Sequence, residues 1–165
     1  MDPRQPSESE SSIARWMGLA DANIAGNVHG GTIMRMCDEV AGIAGIRHSG
    51  CRVVTAGMDR MTFLSPVFVG DVVTVKATVN AAWRTSMEVG VRVEAEKVHT
   101  GEVTHASTAY LTMVALDDEG NPHPVPPIEP RTERERHRQR EADLRRATRL
   151  REREEIVAGR AASDG

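Results

Sequence analysis

The sequence predicts an α+β fold, in which one long apolar helix is followed by a series of antiparallel strands. The first observation is helical spacing, because apolar side chains recur every three or four positions in residues 32–49. They are Ile33, Met36, Val40, Ile43 and Ala44. The second is the alternation of apolar and polar side chains in residues 73–79 and 87–96, which is typical of half-buried antiparallel strands. Together they predict a layered α+β domain.

The chain before the helix is expected to form three short segments. Residues 1–12 are polar and acidic and contain two prolines and four serines, which predicts a disordered leader. This leader has neither the basic start nor the apolar core of a secretion signal. A short strand is expected over residues 13–19, and residues 20–31 read as a glycine-rich loop.

The predicted helix contains two glycines, Gly42 and Gly45. A glycine inside a helix costs about 1 kcal/mol relative to alanine. Two of them in one helix predict that another part of the chain approaches the helix backbone closely. A helix pressed against a strongly curved sheet would explain the pattern.

Four strands are expected after the helix, over residues 52–63, 73–79, 87–96 and 104–116, with turn-forming residues between them. A single helix covers only one face of such a sheet, so the other face and the edges need a partner. The sequence therefore predicts a homo-oligomer.

The C-terminal part, residues 131–165, is expected to be a charged helix and tail that follows the main domain of residues 13–130. It holds 11 of the 21 basic residues and 8 of the 24 acidic ones. Because its glutamates are interleaved with its arginines, a solvated helix with salt bridges is favoured over a nucleic-acid-binding arm. It also contains no aromatic residue that could stack on a base.

The composition excludes several classes of protein. The two cysteines, Cys37 and Cys51, form neither a disulfide framework nor a zinc spacing, which favours a reduced, cytoplasmic location. No apolar run approaches the roughly 20 residues that span a bilayer, so no membrane segment is expected. The six histidines are scattered, and none lies at ligand spacing from a cysteine or a carboxylate, so no metal is expected.

The segment from Asp21 to Gly31 is the first candidate for chemistry. Gly30 and Gly31 lie at the start of the predicted helix, where backbone amides lack intrahelical partners and the helix dipole is positive. A substrate carbonyl could approach a glycine closely enough to use these amides as an oxyanion hole. The alternative is that the two glycines only make a tight turn.

Asp38 is the second candidate, because it lies in an otherwise apolar helix beside the small residues Ala41 and Gly42. A carboxylate in such a place can be reached by a ligand and can act as a general base. The alternative is an ordinary exposed acid, like Glu39. A nucleophilic Cys37 is disfavoured, since it points about 100° away from Asp38 and an acidic neighbour disfavours its thiolate.

These residues resemble a known family. The pattern Asn-x-x-Gly-x-x-His-Gly-Gly at residues 23–31, with Asp38 seven positions after the second glycine, is similar to the hotdog acyl-CoA thioesterases. It is most similar to the cytosolic long-chain acyl-CoA hydrolases and their bacterial YciA-type relatives. Residues 53–56, 61–67, 70–73, 84–87 and 114–117 also resemble that group, so the resemblance covers about residues 13–130.

The resemblance implies a hotdog fold, with a long central helix wrapped by a curved antiparallel sheet and, in this chain, a C-terminal helical extension. It further implies a homodimer with active sites shared between the subunits, assembled into a trimer of dimers. The implied activity is hydrolysis of an acyl-CoA to free coenzyme A and a carboxylic acid. Coenzyme A enters as part of the substrate, and no separate cofactor is expected.

The resemblance also assigns roles to single residues. Asp38 would be the general base or the nucleophile, and Asn23 of the partner subunit would face it. The Gly30 amide would polarise the thioester carbonyl, His29 would shape the approach, and Thr55 would help to place the water. The residues expected to bind the rest of the substrate are Gly31, Arg47, His48, Arg84, Thr85 and Ser86.

Two alternatives remain open at this point. A hotdog hydratase or dehydratase typically carries a histidine-phenylalanine-proline tripeptide, which does not occur in this sequence. A non-catalytic acyl-CoA sensor would bind the same ligand without turnover. Its arginine-rich tail would then contact a partner.

Overall fold

The computed structural model describes residues 1–163, so the last two residues of the expected charged tail lie outside the described residues. The chain divides into two compact units, Met1–Glu129 and Pro130–Gly165. Two short 3-10 turns are present at Pro6–Ser9 and Leu19–Asp21. The helices and strands are β1 (Ser11–Trp16), α1 (Gly30–Ser49), β2 (Arg52–Met58), β3 (Thr62–Phe63), β4 (Asp71–Ala82), β5 (Ser86–Lys97), β6 (Glu102–Leu116) and α2 (Glu133–Ser163).

The strands form one antiparallel sheet in the order β1-β4-β5-β6-β2, with β3 paired to β6. The sheet is curled, and α1 lies against its inner face. The three long strands β4, β5 and β6 are hairpin neighbours and form its centre. The expected single strand over residues 52–63 is two strands, because the chain leaves β6 after Met58 and pairs with it again at Thr62. The predicted α+β layering is confirmed.

The core lies between α1 and the inner face of the central strands. The alternation noted in the sequence places one side chain in two on this face, and those residues are fully buried. They include Val73, Val75, Val79, Met87, Val89, Val91, Val93, Leu111 and Met113. On the helix, the expected stripe is buried except at Ile43, which is 39% exposed because it lies at the margin of the stripe.

The two helix glycines have different surroundings. A Cβ atom added to Gly45 would lie 3.3 Å from a methyl group of Val53, so α1 approaches β2 closely at this point. A Cβ atom added to Gly42 would meet no atom within 4 Å. The expected close approach of helix and sheet is therefore present at Gly45 and absent at Gly42.

The expectation of a disordered leader at residues 1–12 is wrong. The segment forms a 3-10 turn at Pro6–Ser9 and enters β1 at Ser11. The fully buried Ser9 hydroxyl accepts a hydrogen bond from the backbone N–H of Val79, which lies beyond the last residue of β4 that pairs with β1. The polar serines favoured a prediction of disorder. The Ser9 hydroxyl instead supplies the hydrogen-bond acceptor that the buried Val79 amide requires.

The second unit contains α2, whose surface is dense in charge. Within it, Glu133 accepts hydrogen bonds from Arg136 at 3.0 Å and Arg140 at 2.9 Å. These pairs follow the helical spacing that the alternation of Arg and Glu predicted. Across residues 1–163, no helix is long and apolar enough to cross a membrane.

Candidate active site

A pocket of about 360 Å³ opens at the N-terminal end of α1. Its polar groups come from the loop before the helix, from the first residue of the helix and from the segment after β3. Its apolar wall is formed by side chains from the same loop, from the first turn of α1, and from β3 and the segment after it. The lining residues are Asn23, Asn27, Val28, Gly30, Ile33, Phe63, Leu64, Ser65, Pro66 and Val67.

His29 caps the helix and thereby determines which amides remain available. Its Nδ1 atom accepts a hydrogen bond from the Gly31 N–H at 2.9 Å, and its carbonyl oxygen accepts one from the Thr32 N–H at 2.9 Å. The Gly30 N–H makes no hydrogen bond among the described residues and belongs to a residue that lines the pocket. The Gly31 amide is therefore used inside the chain, and contact of Gly31 with substrate stays a prediction.

Asn23 lines the same pocket, and its side chain is held by the loop. Its Oδ1 atom accepts hydrogen bonds from the backbone N–H groups of Ala25 at 2.9 Å and Asn27 at 3.2 Å. Gly26 adopts a φ of 86° in this turn, a conformation that glycine tolerates best. With Oδ1 engaged in the turn, the Nδ2 group has no partner within the described chain. The loop thus fixes the orientation of the Asn23 amide.

Asp38 and Thr55 form a separate pair on α1 and β2. The Thr55 hydroxyl donates a hydrogen bond to Asp38 Oδ1 at 2.5 Å, and both residues are exposed in the single chain. Hydrogen bonds to a carboxylate are among the stronger ones in proteins. The register of β2 on β6 shifts between Thr55 and Gly57, so Thr55 occupies an irregular position of an edge strand. In one chain alone, Asp38 is therefore open to solvent.

The pocket and the Asp38–Thr55 pair do not meet within one chain. Gly30 and Asp38 are eight residues apart on α1, which separates them by about 12 Å along the helix axis and about 80° around it. Asp38 and Thr55 are not among the residues that line the pocket. One chain therefore carries unpaired hydrogen-bond donors on residues of a pocket and, elsewhere, an exposed carboxylate that does not line this pocket.

The neighbouring thiol is unsuited to nucleophilic chemistry. Burial, and secondly the Asp38 carboxylate, raise the pKa of Cys37 to about 12. The thiolate, which is the reactive form, is therefore scarce at neutral pH. The described residues contain no group of three His, Cys, Asp or Glu side chains that could hold a metal ion. The absence of a resident cofactor stays a prediction.

Of the residues expected to contact the coenzyme A portion, His48 was placed wrongly. It is fully buried, and its Nε2 atom lies 2.9 Å from the carbonyl oxygen of Pro126, so it cannot meet a phosphate in solution. The Arg47 guanidinium is exposed and donates to the carbonyl oxygen of Glu10. Both residues lie at the C-terminal end of α1, away from the pocket.

Arg84, Thr85 and Ser86 lie at the turn between β4 and β5, as expected. Their backbone groups hold other segments, because the Arg84 carbonyl accepts a hydrogen bond from Val125 and the Thr85 carbonyl accepts one from Ala115. None of the three lines the pocket. Their contact with substrate stays a prediction.

A long helix in a curled antiparallel sheet, with a glycine amide at its start and a carboxylate two turns later, is typical of the hotdog thioesterases. The model of the thioesterase superfamily matches residues 25–102. The chain belongs to this superfamily, and within it to the family of acyl-CoA thioester hydrolases. The hotdog fold that the resemblance implied is confirmed.

The chain is similar to relatives and to solved structures of this family. It is 37% identical over 139 residues to the cytosolic acyl coenzyme A thioester hydrolase of Mus musculus. That match covers 83% of this chain but 36% of the relative, so the chain spans about a third of the length of the mouse protein. The structure of an apo-hexameric acyl-CoA thioesterase superposes with a TM-score of 0.88 at 36% identity, covering 92% of this chain and 97% of that one.

The acyl-CoA hydrolase of Staphylococcus aureus is also similar. Its structure in complex with butyryl coenzyme A, coenzyme A and coenzyme A disulfide has a TM-score of 0.85 at 35% identity, covering 96% of this chain and 98% of that one. The same enzyme has been solved as three single variants, in which an Asn, an Asp and a Thr are replaced by Ala.

Three features were missed by sequence reasoning. His29 is an N-cap, a role for which Ser, Thr, Asp and Asn are the usual signals. The side-chain oxygen Oδ1 of Asn23 closes a turn, and the nearby Gly26 was a sequence signal for this turn. The ring of Phe63 reaches the pocket from a two-residue strand, which is too short to show a periodic pattern.

Proposed function

We propose that the protein hydrolyses acyl-CoA thioesters to free coenzyme A and a carboxylic acid. The observation that carries this proposal is that α1 presents two different kinds of catalytic group at two places along its length. Its N-terminus offers an unpaired Gly30 amide to a pocket, and its middle offers the Asp38 carboxylate held by Thr55. Donors for a developing oxyanion and a base for water are the groups that thioester hydrolysis requires.

The reaction divides among these residues as follows. The Gly30 N–H and Asn23 Nδ2 donate hydrogen bonds to the thioester carbonyl oxygen, whose negative charge grows as the carbonyl carbon is attacked. Asp38 accepts a proton from the attacking water, and the water oxygen bonds to that carbon. The carbon–sulfur bond then breaks, and the proton passes from Asp38 to the departing thiolate. Direct attack by Asp38 on the carbonyl carbon, followed by hydrolysis of the resulting anhydride, uses the same groups.

We propose further that each active site is built by two chains, with Asp38 and Thr55 from one and the partner's Asn23 and the partner's Gly30 from the other. The separation of about 12 Å along α1 supports this division. An open surface supports it too, because β2 is an edge strand with mostly exposed side chains. The same two elements, α1 and β2, also carry exposed apolar residues, namely Met34, Ile43, Ile46 and Val54.

The Staphylococcus aureus variants support the assignment of these residues. The Asn, Asp and Thr replaced there are fifteen and seventeen positions apart in order along the chain. Asn23, Asp38 and Thr55 have the same two spacings. A shared spacing across a chain that is 34% identical supports the same three roles in this protein.

The larger assembly is proposed as a trimer of dimers. The similar structure described as an apo-hexameric acyl-CoA thioesterase supports six chains. The mouse relative is named a cytosolic enzyme, which supports a cytoplasmic location. Light scattering at micromolar concentration tests the assembly, for which we expect a mass near six times 18.0 kDa. A monodisperse monomer would contradict it.

The activity is tested by free-thiol release from acyl-CoAs of increasing chain length, together with one aryl-CoA. We expect turnover by the wild-type protein and at least a hundredfold lower turnover rate for Asp38→Asn, which keeps the shape and removes the base. Glu39→Gln is the matched control, since Glu39 is the next residue on α1 and is also exposed. Its turnover should equal that of the wild type.

Three outcomes would contradict the proposal. Near wild-type turnover of Asp38→Asn would remove Asp38 from the chemistry. Binding of acyl-CoA without thiol release by the wild-type oligomer would favour a non-catalytic sensor. Conversion of an enoyl-CoA without loss of its thioester would instead favour a hydratase.

A further inference from the structure

The ring of Phe63 lies directly against Gly30 at the start of α1. A Cβ atom added to Gly30 would lie 3.3 Å from Phe63 Cζ and 3.5 Å from Cε2. The ring thus occupies the volume in which a side chain at position 30 would stand. Both residues line the pocket, so the ring forms the wall next to the Gly30 amide.

The backbone of Phe63 is held by its neighbours in the sheet, which fixes the point from which the ring extends. β3 pairs with β6 through Thr62 and Phe63. The fully buried Ser107 donates its hydroxyl hydrogen bond to the Thr62 carbonyl at 2.8 Å, and the Leu64 N–H donates to the Ala106 carbonyl at 2.8 Å. Phe63 is therefore fixed from both sides along the chain.

The position of the ring bears on one atom of a substrate. A thioester whose carbonyl oxygen accepts a hydrogen bond from Gly30 has its acyl α-carbon one bond from the carbonyl carbon. The wall beside that amide is the Phe63 ring, with the buried Ile33 next to it in the pocket. In the orientation proposed for the substrate, the α-carbon lies on the Phe63 side of the carbonyl group and the sulfur on the other, so a methyl group on the α-carbon shares this space with the ring. A methyl group on the β-carbon lies one bond further from the amide.

We propose that Phe63 is a specificity-determining residue that selects acyl groups unbranched at the α-carbon. This inference rests on the proposed thioesterase function and adds to it the substrate class. The ring packs against a CH₂ group at the α-carbon and excludes water from the hydrogen bond between the Gly30 amide and the thioester. A tertiary α-carbon pushes the carbonyl oxygen away from that amide. One methyl group in an apolar site is typically worth a factor of 10 to 200 in discrimination.

The experiment compares kcat/KM for three isomeric substrates: pentanoyl-CoA, 3-methylbutanoyl-CoA and 2-methylbutanoyl-CoA. They have the same atoms and differ only in whether, and where, a methyl branch stands. We expect the wild-type protein to use the 3-methyl isomer at least about tenfold better than the 2-methyl isomer. In Phe63→Ala this ratio should fall at least about tenfold, mainly through faster use of the 2-methyl isomer.

Phe68→Ala is the matched control. Phe68 is 44% exposed, against 46% for Phe63, and it does not line the pocket. Its ratio for the two branched isomers should equal that of the wild type. Phe63→Leu provides a second variant of intermediate size, which keeps an apolar side chain on β3 if the alanine variant does not fold. Its ratio should lie between those of the wild type and Phe63→Ala.

The outcomes separate the two proposals. If the wild-type protein releases thiol but the ratio in the Phe63 variants equals that of Phe68→Ala, the inference about Phe63 is wrong and the thioesterase function stands. The same holds if the Phe63 variants lose activity equally on all three isomers, since that indicates a structural role. If the wild-type protein releases no thiol from any substrate, both proposals fail.

Discussion

Two regions of α1 carry candidate catalytic groups, the N-terminus and the region around Asp38, and they differ in almost every physical property. At the N-terminus, the chain forms a pocket with apolar walls, and its polar groups at Gly30 and Asn23 are hydrogen-bond donors. Two turns later, Asp38 is exposed, accepts a hydrogen bond from Thr55 and does not line this pocket. Neither region is sufficient for thioester hydrolysis. The comparison indicates that a single chain carries two complementary half-sites.

The helix itself explains this division. Unpaired amides exist only in the first turn, where the dipole also favours negative charge, so an oxyanion site belongs there. A carboxylate base is stable further along, where water and a hydroxyl can solvate it. About 12 Å separates the two positions along the axis, and in the proposed shared site a second helix supplies the other half.

Among substitutions in the pocket half of the site, replacement of Asn23 is expected to lower turnover the most. Asn23→Asp keeps the oxygen that accepts hydrogen bonds from Ala25 and Asn27, but it removes the donor that faces the pocket. We expect turnover to fall about a hundredfold, as is usual when one oxyanion donor is removed. Steady-state thiol release measures this. Wild-type turnover in Asn23→Asp would show that Asn23 only holds its loop together.

A smaller effect is expected in the carboxylate half. Thr55→Val keeps the shape of the side chain and removes the hydroxyl that donates to Asp38 Oδ1. We expect kcat to fall about tenfold, because a hydrogen bond to a charged group is typically worth 1.5–3 kcal/mol and water can replace part of it. Thr55→Ser, which retains the hydroxyl, should recover most of the rate. A serine variant as slow as the valine variant would contradict the role of the hydroxyl.

The smallest effect on the rate is expected at the far end of α1, where His48 is buried. Burial lowers the pKa of His48 below 6.5, an effect to which Arg4 adds and which the Pro126 carbonyl and Glu8 oppose. The unfolded chain therefore takes up the proton first as the pH falls below 6.5. The stabilisation by neutral His48 is complete above that pH and is lost as the pH falls through the lowered pKa.

Denaturant unfolding at pH 7.5 and at pH 5 measures this effect. We expect the free energy of unfolding of the wild-type protein to be lower at pH 5, and the difference to shrink in His48→Leu. His99→Asn is the control, since His99 is exposed and its replacement should leave the difference unchanged. An equal pH dependence in wild type and His48→Leu would contradict the account of this end of the helix.

Much of the fold could be predicted because its signals are periodic. The stripe at Ile33, Met36 and Val40 and the alternation along β4 and β5 are repeated enough to outweigh single exceptions. Ile43 is one such exception, because a residue at the margin of a helical stripe is buried or exposed according to what packs beside it. The prediction of a disordered leader failed for a related reason, since a polar composition does not reveal that the Ser9 hydroxyl accepts a hydrogen bond from a buried amide.

The candidate site was predictable where residues act through local geometry. Gly30 was found because a helix start has a signature in sequence, whereas Asn23 was assigned only through the resemblance to the family. His48 was misplaced because being next to Arg47 in sequence does not put two side chains on the same face of a helix. Phe63 could not be found, because its contact with Gly30 depends on the pairing of β3 with β6.

The most direct test of the shared site mixes Asp38→Asn with Asn23→Ala. Each variant alone should be nearly inactive. After subunits have exchanged, half of the dimers contain one chain of each kind, and each such dimer has one intact site out of two. We therefore expect about a quarter of the wild-type turnover per chain. No recovery after exchange has been verified by mass spectrometry would show that Asp38 and Asn23 act within the same chain, which would contradict the account.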